Sequence, residues 1–556
     1  MASERPLVQA VLAEAALDGS RPWAPMPELA RLVAHLAGRP RPTARHVASH
    51  VRELLRIGAG TSSVMPQRDR RFQDPAWTSN PAWRRIAQSY LLAVDLVDEL
   101  IHDGGLDWRD ERRLRLAAAN VLDALAPTNN PALNPVVRRA AFDSGGATLA
   151  RGARNLVTDI ARPGASVRLP SMVSPDAYRV GDTLATTPGA VVARTDMFEL
   201  LQYAPATPSV RQRPVLIVPS TINKFYVFDL APGRSAIAHA VAAGHRVFAV
   251  SWRNPGPEEA RWDLGAYAAA VLEALGVLEE ITGSAGVHLT TLCAGGLIGA
   301  VVAGHLAAVG QDQRLASLTG VVSVLDHARM GDVGALIDER SAEMAILESA
   351  RRGYVDGETL AGVFAWLRPQ DRVWRYWVQN YLLGREPSAS DILYWNADTV
   401  NLSAGFHRDM LELAVDNALA RPGALKLLGT PLDLGRVRVD AYLVAGLTDH
   451  LTPWEACWRS TKLLGGRSRF VLVNTGHVTT VVSPPGDERA AYWSSDGPAP
   501  DAQAWLAQAV HRRGSWWEDW SRWLHDRGGP RQRARRTLGS RRYPVLGPAP
   551  GTYVSG

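Results

Sequence analysis

Cysteine is almost missing: Cys293 and Cys457 are the two in 556 residues. That excludes a disulfide framework and fits a reducing compartment. Long apolar runs are missing too. A membrane-crossing helix needs about 18 or more apolar residues in a row. The longest candidates, residues 264–278 and 297–310, are interrupted by Glu273 and His305. No zinc-ligand spacing and no basic helix interleaved with aromatics occurs, so a nucleic-acid module is not expected. The opening MASERPLVQAVLAEAALDG places Glu4, Arg5, Glu14 and Asp18 where a secretory signal needs an uncharged run, and no such signal is expected. Acidic residues are absent from RQRARRTLGSRR (531–542), which carries six arginines within a chain of net charge only +6. Such a stretch reads as a solvated, partly disordered tail, with contact to an anionic surface or polyanionic ligand as the alternative.

What is present is ordinary globular composition, 46% hydrophobic and 21% charged, over a length that implies more than one domain. Residues 1–65 are rich in Ala, Arg and Pro and read as a variable, loosely attached helical extension. Residues 66–207 read as a mostly helical N-terminal domain that turns extended from Tyr178 onward, with a turn at Thr187-Pro188-Gly189. Then the pattern changes. PVLIVP (214–219), HRVFAVSW (245–252), GVHLTTL (286–292) and LTGVVSVL (318–325) are short, β-branched runs separated by helical stretches. The series resumes at VDAYLVAG (439–446) and SRFVLVNTG (468–476). Strand and helix alternating at this rhythm predict an α/β fold with a mostly parallel sheet covered on both faces. The catalytic core is therefore assigned to 208–326 and 438–526. Between them, 327–437 breaks the alternation with a helical insertion carrying Trp366, Trp374, Tyr376, Trp377, Tyr381, Tyr394 and Trp395. It is expected to form a cap over the strands' C-terminal ends, or a dimerisation module. Trp505, Trp516, Trp517, Trp520 and Trp523 are expected to pack on the core rather than cage a ligand, and 527–556 forms the basic tail.

The strand 286–292 runs straight into Cys293-Ala294-Gly295-Gly296 and then a helix. This is the strand–turn–helix setting of a nucleophile elbow, with Cys in place of Ser. Gly295 meets the need for a small neighbour; Thr291 stands where a Gly belongs, and the facing helix residues Ile298 and Val301 are expected to adjust around it. An acid and then a base should follow on loops after later strands. Asp449 follows 439–446 and His477 follows 468–476, giving the order Cys293, Asp449, His477. His450 is the rival base. The oxyanion needs two backbone N–H donors, expected from Ala294 and from the loop 219–224 near Ile222. A thiolate attacking a thioester yields another thioester, so the acyl group stays activated; the Cys favours acyl transfer from thioester donors over lipase chemistry.

Several long blocks then add up. RFQDPAWTSNPAW (71–83), NVLDALAPTNNPALNP (120–135), VPSTINKFYVFDL (218–230), LCAGG (292–296), DILYWNADTVNL (391–402), GLTDHLTPWEACWRS (446–460) and TGHVTTVVSPPG (475–486) run in the order found in polyhydroxyalkanoate synthases, and the chain resembles that family. INKFYVFDL, the run 364–384 and the terminal PGTYV resemble its class II branch. The resemblance implies an α/β-hydrolase core, (R)-3-hydroxyacyl-coenzyme A as substrate, released coenzyme A, a growing polyester chain and no metal or redox cofactor. It also implies a cytoplasmic enzyme on polyester granules, with granule-associated proteins as possible neighbours and a homodimer as the active form. Cys293, Asp449 and His477 take the positions of its nucleophile, acid and base. A thioesterase or depolymerase of the same fold, and a non-catalytic granule protein, are the alternatives.

Overall fold

The computed structural model describes residues 26–65, 69–161 and 169–556. The chain forms two compact units, one from Met1–Ser174 with Glu358–Ser388, the other from Pro175–Gly357 with Ala389–Gly556.

The first unit is helical. Met26–Gly38, Pro40–Ala59, Pro81–His102, Trp108–Ala124, Pro135–Asp143 and Ala147–Ile160 are its main helices. Starts follow the usual chemistry: Asn80, Asp107 and Asn134 accept the first free amides, and Pro81 and Pro135 need none. The first of these helices is anchored rather than loosely attached as expected for 1–65, while the second buries only Ile57. Leu32 is buried with Ile101 and Leu114, and Arg31 pairs with Asp110 at 2.7 Å. Residues 1–25 of that extension lie outside the described residues.

Part of the expected cap belongs to this unit. Trp374, Trp377 and Tyr381 stack edge to face at 6.0 and 5.4 Å, and the Tyr381 hydroxyl donates to Asp159 at 2.6 Å. A Cβ on Gly152 would collide with the Tyr381 carbonyl, so glycine sets the closeness of that helix. The insertion is thus not one module: 358–388 groups with the N-terminal helices, and its flanks with the second unit. Aromatic content alone marks a buried surface, not which unit buries it.

The second unit is built on one sheet. Its strands are β1 (Gly189–Arg194), β2 (Phe198–Tyr203), β3 (Val215–Val218), β4 (Val247–Trp252), β5 (Val287–Leu292) and β6 (Leu315–Val321). They are followed by β7 (Ala441–Gly446), β8 (Ser468–Val473), β9 (Ala491–Ser495), β10 (Val510–Arg513) and β11 (Gly547–Pro548). The order across the sheet is β10-β9-β8-β7-β6-β5-β3-β4-β2-β1-β11. Strands β8 to β4 are mutually parallel; the pairs on either flank are antiparallel. This is the α/β fold expected. One strand is displaced: β6 ends at Val321 rather than continuing to 325, because Val322 turns to φ 45°. A β-branched residue there is a backbone outlier that no propensity rule anticipates.

The tail is folded against the sheet. Arg531–Arg533 pairs antiparallel with Ser209–Arg211, and β11 pairs with Ala190 and Val191. Its arginines are exposed, as a solvated tail predicts, but the segment is ordered by this pairing and not disordered.

Candidate active site

Strand β5 is buried along its whole length and delivers Cys293 at its C-terminal end. Cys293 adopts φ 50°, ψ −117°, then the helix Ala294–Ala308 begins. A non-glycine residue in this region is strained and persists only where its surroundings enforce it. They do: the Cys293 amide donates to Val321 O at 3.0 Å, and a Cβ on Gly295 would lie 2.5 Å from Pro219 O. Gly295 is therefore obligatory at the elbow.

Thr291 is accommodated by a different residue from those expected. Its Oγ1 donates to Thr319 O at 3.1 Å, and its methyl lies 2.5 Å from where a Cβ on Gly299 would stand. The helix gives room by losing a side chain at 299, while Ile298 and Val301 stay fully buried. The signal, a further glycine eight residues on, is present in the sequence.

Asp449 sits on the loop after β7. One carboxylate oxygen accepts from the Leu451 amide at 2.9 Å and the Thr452 amide at 3.1 Å. The other accepts from Thr452 Oγ1 and from His477 Nδ1, each at 2.7 Å. His477 opens the helix His477–Val481 after β8 and lies beside the Cys293 side chain. Gly446 lets the two loops close: a Cβ there would lie 2.6 Å from Thr475 O. The structure thus brings Cys293, His477 and Asp449 together in the second unit, and the Asp449 carboxylate pairs with His477.

Thr452 was not singled out from sequence. It binds Asp449 and lies 3.2 Å from His477 Nδ1. An Asp with a hydroxyl residue three positions on is a local turn signal that would have found it. Trp516 and Trp517 were read only as core. Both are buried, and their indole N–H groups hold Thr480 O at 2.8 Å and Val481 O at 3.1 Å. They pin the short helix that carries His477.

Electrostatics follow from this packing. Burial opposes a charged His477, but the Asp449 carboxylate, Cys293 and their hydrogen bonds outweigh it and hold its pKa well above the ordinary imidazole value. Burial opposes a charged Asp449 as well, yet His477 and the Thr452 bonds keep it below the usual carboxylate range. Burial pushes the Cys457 thiol far up; its Sγ lies 3.6 Å from Thr452 O inside a helix, with no elbow around it.

Of the two amides expected at the oxyanion, that of Ala294 begins the elbow helix, where the first N–H groups have no intrahelical acceptor. That of Ile222 donates to Ser220 Oγ at 3.1 Å. Among the described residues, no three His, Cys, Asp or Glu side chains are grouped to hold a metal, and no helix is long and apolar enough to cross a membrane.

Comparison with known proteins agrees with this fold. Residues 68–240 match the model described as "Poly-beta-hydroxybutyrate polymerase (PhaC) N-terminus", and 214–484 match the alpha/beta hydrolase fold. "Poly(3-hydroxyalkanoate) polymerase 2" of Ectopseudomonas oleovorans is 43% identical over 92% of this chain and 91% of its own length. "Poly(3-hydroxyalkanoate) polymerase 1" of the same organism is 42% identical over 94% of this chain and 93% of its own. "Poly(3-hydroxyalkanoate) polymerase subunit PhaC" of Cupriavidus necator is 38% identical, covering 88% and 83%. With relatives this similar along nearly its whole length, the chain belongs to the poly(3-hydroxyalkanoate) polymerase family of α/β-hydrolase-fold acyltransferases.

Proposed function

We propose that this enzyme polymerises (R)-3-hydroxyacyl-coenzyme A into polyester through an acyl thioester on Cys293. The observation that supports the reading is the 2.7 Å hydrogen bond between Asp449 and His477, beside Cys293 at the C-terminal edge of the sheet. His477 takes the Cys293 proton. The thiolate attacks the substrate carbonyl, the carbon–sulfur bond to coenzyme A breaks, and the departing sulfur receives the proton from His477. The 3-hydroxyl of one acyl unit then attacks the thioester of another. An ester forms, a thiol is regenerated, and His477 carries the proton between them. Asp449 orients the imidazole and stabilises its charged form. Ala294 N–H serves the oxyanion, joined by Ile222 N–H, which exchanges Ser220 Oγ for the substrate oxygen. Covalent chemistry on a thiol needs no metal or redox cofactor. The class II-like sequence blocks support medium-chain acyl groups. The enzyme works in the cytoplasm on polyester granules as a homodimer.

The reading as a non-catalytic granule protein rested on Thr291 alone, and Gly299 makes room for that side chain. A hydrolase reading is separated by product. Incubation with 3-hydroxyacyl-coenzyme A substrates of four to twelve carbons should give polymer and coenzyme A, fastest with the longer chains that the class II-like blocks imply. Free hydroxy acid in place of polymer would overturn the reading.

A further inference from the structure

A buried acid holds a distant segment of the chain against the loop beside the nucleophile. Glu199 lies in β2 with its side chain wholly inaccessible. Its carboxylate accepts from the Thr552 amide at 2.7 Å, the Tyr553 amide at 3.0 Å and Thr552 Oγ1 at 2.9 Å. Arg194 balances the charge at 2.6 Å. A carboxylate buried this deeply would be costly without such partners, so Glu199 and the 552–553 backbone form one unit. The Tyr553 hydroxyl adds a bond to Thr195 O at 2.6 Å.

What the clamp places is Val554. It is 2% exposed and lines a small cavity with Ser220, Thr221, Lys224, Phe225 and Trp252. Across that cavity, Trp252 Nε1 donates to Pro219 O at 3.3 Å. Pro219 O is the atom that abuts Gly295 in the elbow. The clamp at Glu199 thus sets Val554 in the wall of the cavity that Trp252 also lines, and Trp252 bonds the turn that abuts the elbow. The Thr221 hydroxyl on the same wall is buried without a hydrogen-bond partner, while the far end of the loop is held separately by the Lys224–Asp398 ion pair at 2.8 Å and by Trp395 Nε1, which donates to Lys224 O at 2.8 Å.

We propose that residues 547–555 act as a strut, clamped by Glu199, that holds the 219–224 loop in its catalytic position, with Glu199 and Val554 as positioning residues. This rests on the acyl-transfer reading above. Loss of the strut leaves substrate binding in place and misplaces the loop that faces the developing oxyanion. Sub-ångström to ångström misplacement of this kind is enough for losses of about ten- to a hundredfold.

The test measures coenzyme A release, with kcat and KM resolved, for Val554→Ala, Glu199→Ala and Glu199→Gln. Rates are divided by the fraction of enzyme whose Cys293 is labelled by iodoacetamide, so that misfolded protein does not count. Val554→Ala and Glu199→Ala are expected to lose about tenfold or more in kcat with KM within about twofold. Glu199→Gln, which still accepts the two amides, should recover most of the rate. Unchanged kcat per labelled site, a KM effect alone, or Glu199→Gln as poor as Glu199→Ala would overturn the proposal. Cys293→Ala is the separate control: activity retained there refutes the nucleophile and not the strut.

Discussion

At Thr291 and Gly299, two departures from expectation explain each other. Thr291→Gly is expected to change turnover little, because the elbow is already relaxed around the threonine. It should lower stability by about 0.5–1 kcal/mol through added backbone freedom. Gly299→Ala should cost about 1–3 kcal/mol by forcing a methyl against Thr291. In the double variant that cost should vanish, a coupling that thermal or denaturant unfolding of all four forms measures. The histidines are separated in the same way. His477→Gln should lose about 10²–10⁴ or more in coenzyme A release, and His450→Gln far less. Asp449 also sets a pH dependence. Its folded pKa is depressed, so its contribution is present above about pH 4 and fades as pH falls. That of His477 is raised, so its contribution is complete below about pH 6.5 and fades as pH rises through the folded value. The stability gap between wild type and Asp449→Asn should therefore be widest between about pH 4 and 6.5 and narrow toward alkaline pH. In the variant burial acts on His477 with less opposition, so its imidazole, followed by NMR, should titrate lower than in the wild type.

Elements were legible where one pattern decides them. Buried parallel strands announce themselves as β-branched runs, and the residue after each strand is where an open sheet presents chemistry. That sufficed to bring Cys293, Asp449 and His477 to one edge of the sheet. It failed at β9, where buried residues alternate with half-buried ones, and at β10, which is exposed throughout, both at the antiparallel flank. It failed also for what Trp516–Arg527 does. Composition says that helix is buried; only coordinates say that its indoles hold the carbonyls of the helix bearing His477. Trp516→Phe keeps the packing and removes the donor, leaving Thr480 O buried with one partner fewer. We expect about 1–3 kcal/mol lost from stability and a fall in kcat, read by calorimetry and steady-state kinetics; an unchanged kcat would confine the helix to a structural role.

Across the whole molecule, the sequence order of the parts is not their order in space. Residues 358–388 leave the insertion to join the N-terminal helices, and the segment after 527 returns to complete the sheet edge at β11. Neither is readable from local pattern, because both depend on pairing between segments far apart in the chain. The fold leaves the two thiols in different settings: Cys293 is half-buried at the sheet edge beside His477, and Cys457 is buried. Cys457→Ala should keep most activity, since its thiol is buried and held protonated. The most direct measurement is mass spectrometry of enzyme quenched during turnover with (R)-3-hydroxyacyl-coenzyme A. The account predicts the acyl group on the peptide bearing Cys293, and neither adduct nor coenzyme A release in Cys293→Ala. An adduct elsewhere, or undiminished release from Cys293→Ala, would contradict it.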